Sequence, residues 1–179
     1  MWLWLVFAGG AAPGLILFAH AAPLAMDLEL SPQVAGLAVS ALGAGNLTGR
    51  VLAGWWSDRI GRLPGLAAAL GTAALAVGGL VASTTPVGVL AAFLGTGPAY
   101  GAVSSLVPAA TADRVGAGAF STAFGRIFTG WGFAGLFAPV AGGHLLHLRA
   151  NHPAVLGLVA TPLVPAVVAV VVLTRRRPG

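Results

Sequence analysis

The chain has 179 residues, 58% of them hydrophobic and 7% charged, with a mean hydropathy of +0.93. That leaves too little polar surface to cover a water-facing protein, so the bilayer is its solvent and a water-soluble enzyme is an unsuitable reading. A net charge of +5 arises from nine Arg, with no Lys and no Cys; Arg in small groups at segment ends marks membrane topology rather than nucleic-acid binding, and disulfides, thiolate catalysis and cysteine metal sites are excluded.

Apolar stretches of about 20 residues, the length that spans a hydrocarbon core, recur through the chain. Six transmembrane helices are expected at roughly 2–25, 33–56, 64–83, 87–110, 119–143 and 154–173, an all-α single six-helix bundle over residues 1–179. The first stretch has the small-residue run Ala19 to Ala22 of a signal peptide, but no basic residue precedes it and more spans follow, so it reads as a first helix. Asp27, Glu29 and Ser31-Pro32 close it, and Asp58 to Arg62 with Pro64 follows the second span. Thr84-Thr85-Pro86 follows the third, Asp113-Arg114 the fourth, and Asn151-His152-Pro153 the fifth. All connections are short, which makes consecutive helices antiparallel.

Arg59, Arg62, Arg114 and Arg175 to Arg177 fall after even-numbered spans, against Arg149 on the other side. By the positive-inside rule both termini are cytoplasmic, in a cell (inner or plasma) membrane, and Asp27 and Glu29 face outward. Within the spans, Gly45-Asn46-Leu47-Thr48-Gly49 has the small-x-x-x-small spacing of a close helix contact. Gly9-Gly10, Pro13-Gly14, Gly95, Gly97-Pro98 and Pro108 are expected bends or packing points.

After the second span the sequence runs Gly49-Arg50-Val51-Leu52-Ala53-Gly54-Trp55-Trp56-Ser57-Asp58-Arg59-Ile60-Gly61-Arg62. It gives a small-residue helix end, a tight turn, and a carboxylate between Arg at the interface, free to pair with Arg or with a neighbouring helix N-terminus and so to latch one conformation. Gly54, Asp58, Arg59, Gly61 and Arg62 resemble the signature loop of the major facilitator superfamily, with Leu63 where that loop ends on a basic residue. Ala19-His20-Ala21-Ala22-Pro23, Gly49 to Arg62, and Ala109 to Asp113 leading to Phe128-Thr129-Gly130-Trp131-Gly132 look like the carboxyl-terminal half of its oxalate/formate antiporter and monocarboxylate-like branch. The resemblance implies alternating access between two six-helix halves, of which this chain is one.

Arg50 lies eight residues before Asp58, about 12 Å into the membrane at ~1.5 Å per residue. It needs a partner, since insertion there costs roughly 2.5–3.5 kcal/mol. Gly43, Asn46, Arg50, Gly54 and Ser57 share one small and polar helix face, expected to line the bundle interior. A guanidinium there can hold a carboxylate by two parallel hydrogen bonds, and the resembled antiporters have an Arg in the equivalent helix associated with anion binding. Arg126, with Thr122 and Thr129 near its face, is a second cation, alternatively a snorkelling interfacial residue. Tyr100 and Ser104, one turn apart, offer neutral hydrogen bonds, and Trp131 is a substrate or packing residue. The oxalate-type relatives have a Lys in a Thr-Ala-Lys-Gly setting where this chain reads Thr129-Gly130-Trp131-Gly132, which turns the expected cargo from oxalate to a monocarboxylate or other small organic anion.

His20 is a candidate for proton coupling or a helix-end residue. His144, His147 and His152 lack the carboxylates or Cys of a metal site, so no metal or cofactor is expected, and no catalytic constellation. The expected partners are the bilayer, a small organic anion and a second six-helix half or second copy of the chain, with no nucleic acid. Met1 is followed at once by a full helix, which favours a split or partial transporter over a homodimer; the alternative is a non-transporting scaffold or regulator derived from a transporter.

Overall fold

In the computed structural model, residues 1–27, 31–82, 85–147, 157 and 160–175 are described. All regular structure among them is helical: α1 Trp2–Asp27, α2 Pro32–Ile60, α3 Arg62–Ala82, α4 Pro86–His147 and α5 Leu163–Arg175. Glu29, Thr84, Arg149, Asn151 to Pro153, much of 154–162 at the start of the sixth expected span, and Arg176 and Arg177 lie outside the described residues.

α1, α2 and α3 occupy the first three expected spans. α2 starts on Ser31, whose hydroxyl accepts the Val34 amide at 3.4 Å, with Pro32 opening the helix; Ser at the cap and Pro in the first turn satisfy or remove free N–H groups. It ends at Gly61, whose N–H donates to the Ser57 carbonyl at 2.9 Å. With φ 93° and ψ 155°, Gly61 has a backbone that side chains disfavour. That one residue turns α2 directly into α3.

The fourth and fifth expected spans form one element, α4, of 62 residues. It bends at Gly116, the one residue inside it with non-helical angles (φ 70°, ψ 172°). The arms are 86–115 and 117–147. The break expected between the fourth and fifth spans is thus present, and it falls at Gly116, two residues beyond Asp113-Arg114, where a glycine can adopt the turn. Pro13-Gly14, Gly97-Pro98 and Pro108 all lie within helix. Three segments are long and apolar enough to cross a membrane, 2–23, 62–80 and 90–144, with 163–175 shorter. Six spans are thus not established by the described helices.

The core forms where α1, α3, the first arm of α4 and α5 meet, around Phe7, Leu66, Leu70, Val103, Leu106 and Ala166. α2 joins it through glycines. An added Cβ on Gly49 would lie 2.2 Å from the Pro98 carbonyl oxygen, and one on Gly45 2.6 Å from the Pro98 ring. From the other side, a Cβ on Gly101 would meet the Asn46 carbonyl at 2.1 Å and one on Gly97 the Leu42 carbonyl at 2.6 Å. Two helices with glycines four residues apart thereby pack backbone to backbone. The small-x-x-x-small expectation holds for α2; Gly97 serves the same contact instead of a kink.

Candidate functional site

At the turn between α2 and α3, Arg62 gathers two carboxylates. Its Nη1 lies 2.6 Å from Asp58 Oδ1 and its Nε donates to Asp113 Oδ2 at 3.3 Å. Nη1 also donates to Ser57 Oγ at 2.6 Å, and Ser57 is buried. Arg59 turns back along α2, donating to the Trp55 carbonyl at 3.0 Å with its guanidinium 3.8 Å above the Trp55 ring. The loop thus divides its labour: Gly61 makes the turn, Asp58 and Arg62 pair, and Arg59 stays on its own helix. Gly54 meets nothing that a Cβ would touch. Leu63 packs on the apolar core.

Asp113 was not among the expected latch residues. It belongs to the end of α4's first arm and ties that arm to the α2–α3 turn, placing the two on one side of the membrane. Its position after an even-numbered span was the available signal; the pairing itself joins residues 51 apart and has no local pattern.

Halfway along the bundle, Asn46 and Arg50 of α2 lie against Gly101, next to Tyr100. Arg50 Nε donates to Asn46 Oδ1 at 3.0 Å, one helical turn back. Arg50 is exposed and Asn46 half-buried, and no carboxylate pairs with Arg50 among the described residues. The expectation that Gly43, Asn46, Arg50, Gly54 and Ser57 line the interior of this bundle is corrected for Gly43 and Arg50, both exposed. Gly45 and Gly49, on the neighbouring stripe, bury α2, and the Arg50 stripe forms the edge of an open face.

On the same level, Trp131 Nε1 of α4's second arm donates to Tyr100 Oη at 3.0 Å. Tyr100 is 7% exposed, its ring lies over Gly14 of α1, and Phe18 meets it edge-on at 5.6 Å. The phenol oxygen accepts from Trp131, which leaves its own hydrogen available to donate. Ser104 spends its hydroxyl on the Tyr100 carbonyl at 2.8 Å. The structure therefore brings Tyr100 and Trp131 together, while the backbones of Asn46 and Arg50 lie against Gly101, the residue that follows Tyr100.

Arg126 is elsewhere. It precedes Trp131 by five residues, about 140° around a helix that turns ~100° per residue. It shares its stripe with Phe133 and Phe137 and is exposed; Thr129, which donates to the Arg126 carbonyl at 2.7 Å, accepts from Trp4 Nε1 at 2.9 Å. This flank borders an apolar cleft of about 300 Å³ between α1, α4 and α5, lined by Trp4, Ala8, Phe133, Phe137 and Pro162 among others. His20 Nδ1 donates to the Ile16 carbonyl at 3.0 Å, and its ring rests on Gly142 and Gly143. His144 is exposed; the side chain of His147, and all of His152, lie outside the described residues.

Residues 2–179 match the Major Facilitator Superfamily. The helical bundle, the signature turn and this match agree on one class, a family of membrane transporters. The chain belongs to the Major Facilitator Superfamily. No curated protein matches it.

Proposed function

We propose that the chain forms one half of a major facilitator transporter, related to the oxalate/formate and monocarboxylate-like branch, that carries a small organic anion, a monocarboxylate, by alternating access. The observation that carries this reading is Arg50: a guanidinium on α2, inside the second expected span, exposed on the open face and, among the described residues, hydrogen-bonded to the neutral Asn46 oxygen. An exposed cation at that depth calls for water and an anion. A carboxylate placed there receives the remaining guanidinium hydrogens, and the Tyr100 hydroxyl, oriented by Trp131, adds a neutral donor. Arg126 stays outside this site, on the flank where its long side chain reaches the headgroups.

The open face is where a second six-helix half, or a second copy, completes the cavity. Asp58, Arg62 and Asp113 hold the ends of α2, α3 and the first arm of α4 together on the side read as cytoplasmic, stabilising one end state. Exchanging Arg50→Gln abolishes anion uptake by the assembled transporter in proteoliposomes; normal uptake by a well-expressed variant sinks the proposal. Mass in detergent, measured beside uptake by the chain alone, separates a half that needs a partner from a self-sufficient dimer.

A further inference from the structure

An unbroken aromatic path climbs the open face to the Tyr100 hydroxyl. Phe120 and Phe124 stack with centroids 5.4 Å apart and 5° between their planes. Phe124 and Phe128 are 5.6 Å apart, and Phe128 stacks on Trp131 at 5.2 Å and 13°. Trp131 is the donor to Tyr100. Beneath, the buried Phe7 of α1 supports Phe124 at 6.3 Å and Phe128 at 6.0 Å. One side of the ladder is thereby fixed on α1, and the other is uncovered: Phe128 is 45% exposed, while Phe120, Phe124 and Trp131 are half-buried.

The ladder covers eleven residues of rise, about 16 Å, from just beyond the Gly116 bend to the level of Tyr100, Gly101 and Arg50. It therefore runs from the end of the bundle where Asp113 meets Arg62 to the level of Gly101, against which the Arg50 backbone lies. Exposed rings also occur outside the ladder, at Trp55, Trp56, Phe133 and Phe137, and the rest of the uncovered apolar surface is largely aliphatic, as with Leu47, Val51 and Leu52 on α2 and Val164, Val167 and Val168 on α5. Lipid contact asks for nothing more than that. Stacked rings that end at a buried, half-spent phenol offer something else: flat π surfaces leading to a hydrogen-bond donor.

Resting on Arg50 as the anion anchor, we infer that the cargo is an aromatic monocarboxylate. Its carboxylate goes to Arg50 and the Tyr100 hydroxyl, and its ring stacks against Phe128 and Trp131. Offset stacking and edge-to-face contact reward a planar ring beyond its apolar burial. Aromatic surfaces also attract cations, but Arg50 at the end of the path repels a cation and selects the opposite sign. Trp131 acts in this scheme as a positioning residue for the Tyr100 proton and as the last ring of the ladder.

Phenylacetate and cyclohexylacetate, alike in charge and heavy-atom count, are titrated by calorimetry into the assembled transporter in lipid nanodiscs. Phenylacetate binds about 3- to 10-fold more tightly, the worth of one or two ring contacts. Phe128→Leu reduces that preference below about twofold, and the melting temperature of the variant, unchanged within a few degrees, reports that it is folded. Arg50→Gln loses both ligands. Equal affinity of the native chain for the two, with both still dependent on Arg50, overturns the aromatic inference and leaves the anion anchor standing. Binding indifferent to Arg50→Gln, or no binding of either ligand, overturns the anchor and the inference with it.

Discussion

Gly101→Ala tests the backbone contact on which the position of Arg50 depends. The new Cβ would lie 2.1 Å from the Asn46 carbonyl oxygen, 2.9 Å from its carbon and 3.1 Å from the Arg50 amide nitrogen, directly over an intrahelical hydrogen bond of α2. Real Cβ contacts stay beyond 3.0 Å, so α2 and α4 must part by about 0.9 Å, and no flexible side chain is present to yield instead. A gap of 0.5–1 Å forfeits roughly a quarter to a half of each dispersion contact, and the four glycines share one interface. The expected loss is about 1–3 kcal/mol, the usual range for overpacking. For a chain of this length that lowers the melting temperature by about 2–12 °C, taking 2–4 °C per kcal/mol. Thermal unfolding in detergent measures it, with Gly71→Ala as the reference: nothing lies within 4 Å of a Cβ there, and alanine in a helix interior gains about 0.5–1 kcal/mol over glycine. If Gly101→Ala melts at or above the native temperature, the close approach of α2 and α4 is refuted.

Gly61→Ala places a side chain at φ 93° and ψ 155°, a conformation costing about 1–3 kcal/mol; its melting temperature falls even though a Cβ there has no neighbour closer than 3.5 Å. Tyr100→Phe strands the Trp131 N–H and Trp131→Phe strands the buried Tyr100 hydroxyl, so in a double-mutant cycle the pair loses less stability than the sum of the single changes, with a coupling of about 0.5–1.5 kcal/mol; zero coupling rules the hydrogen bond out. Asp113→Asn removes one of the two carboxylates of Arg62 but costs less than about 1 kcal/mol of stability, because the Asp113 carboxylate is more than half exposed and Arg62 keeps Asp58. Its effect falls on the balance of end states, read as faster labelling of a single cysteine introduced beside the latch, a clean assay in a chain without native Cys.

What was legible in the sequence was whatever is written in backbone chemistry or period. Ser31-Pro32 started α2, Gly61 ended it, and Gly45 with Gly49 announced a close contact. Its partner was harder, because Gly97-Pro98 reads as a weak point in an isolated helix; in the bundle the Pro98 ring fills the hollow above Gly45 and the helix runs on. The bend of α4 was placed at the charges of Asp113 and Arg114, although the conformational freedom belonged to Gly116. Arg62 and Asp58, one turn apart, were readable as a pair, whereas Asp113 required the fold to bring it in. The polar stripe through Asn46 and Arg50 was visible from its period, but periodicity in a membrane protein names a face without naming what lies opposite. The spacing of Phe120, Phe124, Phe128 and Trp131 was equally periodic; its meaning needed Tyr100 at its end.

The charge on the open face constrains what can cover it. Arg50 has five N–H donors and spends one on Asn46; the rest must find acceptors or water when the face is closed. A second copy across a twofold axis presents the same patch, and so a second guanidinium without a carboxylate. At a separation of ~10 Å and an effective dielectric constant of ~20, that repulsion is about 1.7 kcal/mol. A bound anion between the two reverses the sign, since each guanidinium then faces an opposite charge. In a homodimer the cargo would therefore hold the assembly together, which suits an exchanger that reloads before every turn. An unlike half can supply its own acceptors and leave the empty carrier stable enough to return. The charge of one arginine thus links the composition of the assembly to the kind of transport cycle it can run.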